Sequence, residues 1–165
     1  MSHQPVIDGL EFARTGSKLQ GALPVAGFLR LRDALCTNKG AVQYELLGVP
    51  EDEGRPALRL RLGGELQFVC QRCLGALEFP LHIDVSLQLA ATQAELDAEP
   101  LAAEGPERIV ASREMPVRDL VEDELLLAMP LVTRHERCAA GGPLAVNEGR
   151  SPFAGLRGLV GGIKH

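Results

Sequence analysis

Ala57-Leu58-Arg59-Leu60-Arg61-Leu62-Gly63-Gly64-Glu65-Leu66-Gln67-Phe68-Val69-Cys70-Gln71-Arg72-Cys73 is the stretch on which the fold turns. In its first six residues leucine and arginine alternate, so Leu58, Leu60 and Leu62 share one face and Arg59 and Arg61 the other. Period two with one apolar face is the signature of a half-buried strand. Gly63-Gly64 reads as a hairpin signal. Residues 65–70 then form the returning strand, and residues 71–75 form a turn that completes a Cys-x-x-Cys.

On either side the same alternation recurs. Residues 41–49 and 76–79 are strand-like, and in residues 82–90 Ile83, Val85, Leu87 and Leu89 alternate with Asp84, Ser86 and Gln88. Residues 50–56 read as a polar loop, and residues 108–112 as one more short strand. Short strands joined by tight turns predict an antiparallel β meander. Two helices are expected to pack with it, which makes the fold class α+β. The N-terminal one is read at 24–36, where Phe28, Leu31 and Leu35 fall at helical spacing behind Pro24. Residues 6–12 upstream read as a short strand or extended arm. The C-terminal helix has Pro116 in its first turn and is ended by Pro130, with Val117, Leu120, Val121, Leu125 and Ala128 on one face. Glu124 interrupts that face, and Leu126 interrupts the polar one.

The chain has 165 residues, 45% of them hydrophobic, and a formal net charge of −5. One domain over residues 1–138 is expected, with an acidic loop at about 91–107, followed by a flexible glycine-rich tail at 139–165. An acidic balance disfavours a dedicated nucleic-acid binder unless cations gather locally. No stretch approaches the ~20 apolar residues of a membrane span. The start lacks the basic-then-apolar layout of a secretory leader. The expected location is the cytoplasm, where thiols stay reduced.

Four cysteines in a reducing compartment point to free thiols, metal binding or redox chemistry. Cys70 and Cys73 have the spacing of a zinc knuckle, and His135 and Cys138 repeat it, so the two pairs would complete a Cys₃His shell. Unliganded thiols remain the plain alternative. A redox Cys-x-x-Cys is disfavoured because the motif does not open a helix after a strand. Cys36 is read as a core residue. Glu122, Asp123 and Glu124 are consecutive on a helix and cannot converge on one ion. No phosphate loop, nucleophile elbow or HExxH is present. For RNA contact the candidate cations are Arg59 and Arg61 on the strand face and Arg72 in the turn, all of which also suit an ordinary solvated surface.

Three blocks in this order resemble the YceD family of large ribosomal RNA subunit accumulation proteins. They are Cys70-Gln71-Arg72-Cys73-Leu74, then residues 121–132 (VEDELLLAMPLV) followed by His135 and Cys138, then Ser151-Pro152-Phe153-Ala154 with Leu156. The resemblance implies a non-catalytic role in synthesis, processing or stability of the large-subunit ribosomal RNA. That role would be exercised by binding the RNA or a large-subunit ribosomal protein, with neither membrane nor DNA as a partner. The competing reading is a metal-dependent or thiol enzyme acting on RNA or protein.

Overall fold

The computed structural model describes residues 5–98 and 106–138. In chain order its elements are β1 (Val6–Ile7), α1 (Gly9–Arg14), β2 (Lys18–Pro24), a 3₁₀ turn (Val25–Gly27), β3 (Ala41–Asp52), β4 (Arg55–Val69), β5 (Ala76–Ala90), α2 (Gln93–Asp97), β6 (Glu107–Val110), β7 (Met115–Pro116) and α3 (Val117–Ala128). Five strands form one sheet in the order β2-β3-β4-β5-β6, and β1 pairs with β7 in a small second sheet. All neighbours are antiparallel except β6, which runs parallel to β5. The α+β class, the meander and a helix toward each end of the chain are as expected.

Gly63-Gly64 does not turn the chain. β4 runs through it without a break and stays paired to β5 from Ala57↔Gln88 to Val69↔Ala76. The inward positions explain why: Leu58, Leu60, Leu62, Leu66, Phe68 and Cys70 are all buried, and all fall on one parity. A two-residue hairpin at Gly63-Gly64 would have placed Glu65 and Gln67 on the leucine face instead. Gly64 takes φ +144°, and a Cβ there would lie 3.3 Å from the Ala41 carbonyl oxygen, where β3 ends and β4 continues beyond it. The true turn between β3 and β4 is Glu53-Gly54, both with positive φ and flanked by the pair Asp52↔Arg55. Two consecutive positive φ values match the right-handed twist of a hairpin. The polar loop expected at 50–56 is therefore mostly strand.

Similarly, β5 passes through Pro80, which pairs with Glu65. Among the described residues only the last four positions of β5 have a strand on the outer side. The missing N–H of Pro80 thus falls where a sheet tolerates it, on an open edge.

Residues 24–36 are not an α-helix. After β2 and the 3₁₀ turn they run as successive turns, with Phe28 and Leu31 buried. The outer half of β4 extends past β3, which leaves its edge N–H and C=O groups without a strand partner. This segment supplies them: Leu35 bridges Phe68, Cys36 N–H donates to the Gln67 carbonyl (2.7 Å), and Val69 N–H donates to the Ala34 carbonyl (2.9 Å). Buried edge groups must be satisfied, and that demand overrides a short helical periodicity. Cys36 ends up exposed rather than in the core. The N-terminal helix is α1, capped by the Asp8 carboxylate, which accepts from Glu11 N–H at 3.1 Å. It lies so close to β3 that a Cβ on Gly48 would overlap the Phe12 carbonyl.

Of the acidic stretch 91–107, residues 93–97 form α2, capped by Thr92. No helix among the described residues is long and apolar enough to cross a membrane. Phe153 and the rest of 139–165 lie outside the described residues.

Candidate metal centre

β4 and β5 make one long hairpin, and residues 70–75 are its tip. Cys70 is the next inward position after Phe68, so strand alternation alone points its thiol to the buried side. The tip closes with Cys70 N–H donating to the Gly75 carbonyl (2.9 Å) and Leu74 N–H donating to the Cys70 carbonyl (2.8 Å). Leu74 takes φ +59° to complete the tight turn. Phe68 and Phe79, in edge-to-face contact at 5.4 Å, pack just behind it.

The C-terminal segment is fastened across this tip. Gln71 N–H donates to the Thr133 carbonyl (2.8 Å), and the Thr133 hydroxyl donates to the Val69 carbonyl (2.8 Å). Thr133 is 5% exposed, so its end of both bonds is buried. This registry carries His135 and Cys138 onto the hairpin. Cys70 and Cys138 bring their Sγ atoms to 3.8 Å, and His135 Nδ1 stands 3.4 Å from Cys73 Sγ. The four ligand atoms all lie within 4.8 Å of one another.

The 3.8 Å and 3.4 Å separations match two edges of a small tetrahedron. With Zn–S near 2.3 Å and Zn–N near 2.0–2.1 Å, tetrahedral geometry puts sulfurs about 3.8 Å apart and a sulfur about 3.5 Å from a nitrogen. The histidine is oriented for the role as well. Its Nε2 lies 2.9 Å from the Ala76 carbonyl oxygen, so Nε2 carries the proton and Nδ1 presents its lone pair to the sulfurs. The thiols are set apart electrostatically. Backbone N–H groups, that of Cys73 foremost and those of His135 and Arg72 besides, draw the Cys70 thiol down to about 5. Burial, reinforced by the neighbouring sulfurs of Cys70 and Cys73, pushes Cys138 up to about 11. The Cys70 thiolate therefore forms readily, and a bound cation would be needed to ionise Cys138. Chemically the set fits a structural Cys₃His zinc site, because four protein ligands leave no position for a substrate.

The arginines divide differently. Arg59 and Arg61 stand side by side on the exposed face of β4, tied to acids. Arg59 Nε and Nη2 donate to Asp84 (2.8 and 3.0 Å), while Arg61 donates to Asp84 (3.1 Å) and Glu45 (3.2 Å). Glu45 also pairs with Lys18 at 2.6 Å. Asp84 is held down to about 2, first by its hydrogen bond to Arg59. Arg72 is not brought to this group. It sits in the hairpin tip, about 25 Å along the strand from Arg61.

Residue periodicity did not single out the acid that joins α3 to the rest. Glu122, on α3, is 4% exposed. It accepts from the Arg30 backbone N–H (2.7 Å) and from Arg30 Nε (3.2 Å), while Arg30 Nη1 reaches Asp123 (2.6 Å). Its partner lies 92 positions away, so no local spacing could reveal it. Glu124 is also buried, and burial first, then the charges of Glu107 and Asp123, raise its carboxyl to about 7.

The family model for YceD, the large ribosomal RNA subunit accumulation protein, matches residues 58–159, more than half of the chain. That span takes in β4 from Leu58 on, the hairpin tip, α3 and the whole Cys₃His group. No curated protein and no solved structure matches the chain.

Proposed function

The chain belongs to the YceD family, and from that premise we propose that it is a zinc-stapled, non-catalytic binding factor for the large ribosomal subunit. The family is named for accumulation of large-subunit ribosomal RNA, not for a reaction. Holding the RNA or one of its proteins is a way to support its synthesis, processing or stability without a reaction.

The observation that carries the reading is the ligand set of Cys70, Cys73, His135 and Cys138, whose four ligand atoms gather within 4.8 Å of one another. Zinc held there would join the β4–β5 hairpin to the segment that follows α3. The aromatic content is only 4%, so a metal cross-link would supplement a core built mainly from leucine, valine and alanine. Zinc as a hydrolytic centre would need a coordination position left to water, and four protein ligands fill the shell. Bound zinc would also reduce the charge of three thiolates to a single negative, which makes an RNA-facing tip less repulsive.

The test pairs cells with metal analysis. Cells depleted of the protein should lose large-subunit ribosomal RNA relative to small-subunit RNA. The wild-type chain should restore it, and Cys73→Ser, which cannot complete the shell, should restore it poorly. Full restoration by a Cys73→Ser protein shown to be metal-free would contradict the zinc reading. Catalytic turnover of RNA by the purified chain would contradict the binding reading.

A further inference from the structure

We propose that the tip of the β4–β5 hairpin, with the segment fastened across it, is a contact surface for single-stranded RNA. Arg72, Arg134 and Arg137 would engage phosphates there, and Leu74 would lie against a base. This deepens the preceding reading and rests on it for the class of partner.

Geometry gathers the three arginines. Arg72 stands between Gln71, which bonds to Thr133 at 2.8 Å, and Cys73, which meets His135 at 3.4 Å. Arg134 stands between those same two partners, Thr133 and His135, on the opposing strand of chain. Arg137 immediately precedes Cys138, whose sulfur meets that of Cys70 at 3.8 Å. All three side chains are exposed, and none makes a hydrogen bond or ion pair with another described residue. Arg59 and Arg61, by contrast, are engaged by Asp84 and Glu45.

Charge separates RNA from other partners. Residues 70–75 and 131–138 contain three arginines and one acid, Glu136, in a chain whose net charge is −5. A local excess of free guanidinium groups on an acidic protein suits a polyanion, since phosphate contacts require little beyond clustered cations.

Leu74 carries the second half of the inference. It holds φ +59°, where glycine or asparagine ordinarily sits, yet its side chain is 76% exposed and gains little packing. Leu131, fully exposed, and Val132, 57% exposed, directly precede Thr133, which is bonded across the same tip. A strained, solvent-facing aliphatic side chain in a turn that also carries Arg72 is poor design for stability. It suits a site where a base splayed from a single strand packs on an apolar tip and its phosphates meet arginine.

The experiment uses the full-length, zinc-loaded chain and a short fluorescein-labelled single-stranded RNA of mixed sequence, read by anisotropy across a salt series. The Arg72→Gln/Arg134→Gln/Arg137→Gln variant should bind roughly ten- to a hundred-fold more weakly. It should also lower the magnitude of the slope of log K against log salt by about 2, three phosphates at ~0.7 each. Its zinc content should equal that of the wild type. Should the triple variant fold poorly, Arg72→Gln and Arg134→Gln singly should each lower the slope by about 0.7. Arg59→Gln/Arg61→Gln should stay within about two-fold of wild type. Leu74→Gly should melt at a higher temperature and yet bind several-fold more weakly, a combination that a merely structural role does not produce. Wild-type affinity and slope in the arginine variants would overturn the surface. A wild-type chain that ignores RNA but captures a ribosomal protein would overturn it too. RNA binding that depends on the arginines in a chain without zinc would sustain this surface and remove the zinc reading instead.

Discussion

The Sγ atoms of Cys70 and Cys138 lie 3.8 Å apart although the residues are 68 positions apart in sequence. Each arrives by a separate route. Cys70 is carried by the alternation of β4, and Cys138 by the two backbone bonds that fasten Thr133 across the hairpin tip. Thr133→Val keeps the shape and deletes the hydroxyl donor to the part-buried Val69 carbonyl. It should cost about 1–2 kcal/mol and loosen metal retention, read as faster zinc loss to a chelating dye. Unchanged zinc release would show that the fastening does not depend on that hydroxyl.

The clamp between Arg30 and α3 should respond unequally to its two halves. Glu122→Ala removes the acceptor of both the Arg30 backbone N–H and its guanidinium. It should cost about 2 kcal/mol by urea denaturation. Arg30→Ala keeps the backbone bond and should cost about 1 kcal/mol. Equal losses would mean that the backbone bond contributes nothing.

Glu124 sets a pH dependence. Its carboxyl titrates near 7 in the folded chain against an ordinary value of 4.5. The folded state therefore keeps a proton that the unfolded state has released. Stability from this group is full below about 4.5, falls as pH rises toward 7, and is flat above. Glu124→Gln should raise stability at pH ~8 by about 1–2 kcal/mol and change little at pH ~4. An equal gain at both pH values would rule out the titration as its cause.

Gly48 is where α1 meets β3. A Cβ there would overlap the Phe12 carbonyl, so Gly48→Ala should destabilise by about 2 kcal/mol or more. A melting temperature equal to wild type would mean that α1 can lift away without loss.

Much of this architecture was legible in residues 57–73. Alternation located the buried face of β4, and the repeated two-residue spacing located all four candidate ligands. The hairpin at Gly63-Gly64 misled because two glycines outweighed a parity that runs unbroken from Leu58 to Cys70. Phe28 and Leu31 correctly marked burial at 24–36, but their spacing suggested a helix where the edge of β4 required a bonding partner. Arg30 and Glu122 were beyond reach because their pairing depends on which turn lies beside α3. Arg134 and Arg137 each immediately precede a ligand, and that adjacency was the available signal for the hairpin tip.

The most direct measurement is the zinc content of the purified full-length chain, set beside that of Cys73→Ser and a thiol titration of each. One zinc per wild-type chain is predicted, with Cys70, Cys73 and Cys138 protected from the thiol reagent while exposed Cys36 reacts. Cys73→Ser should lose the metal and melt about 10 °C lower. A wild-type chain that carries no metal, even after refolding with zinc, and whose remaining thiols react freely would contradict the account.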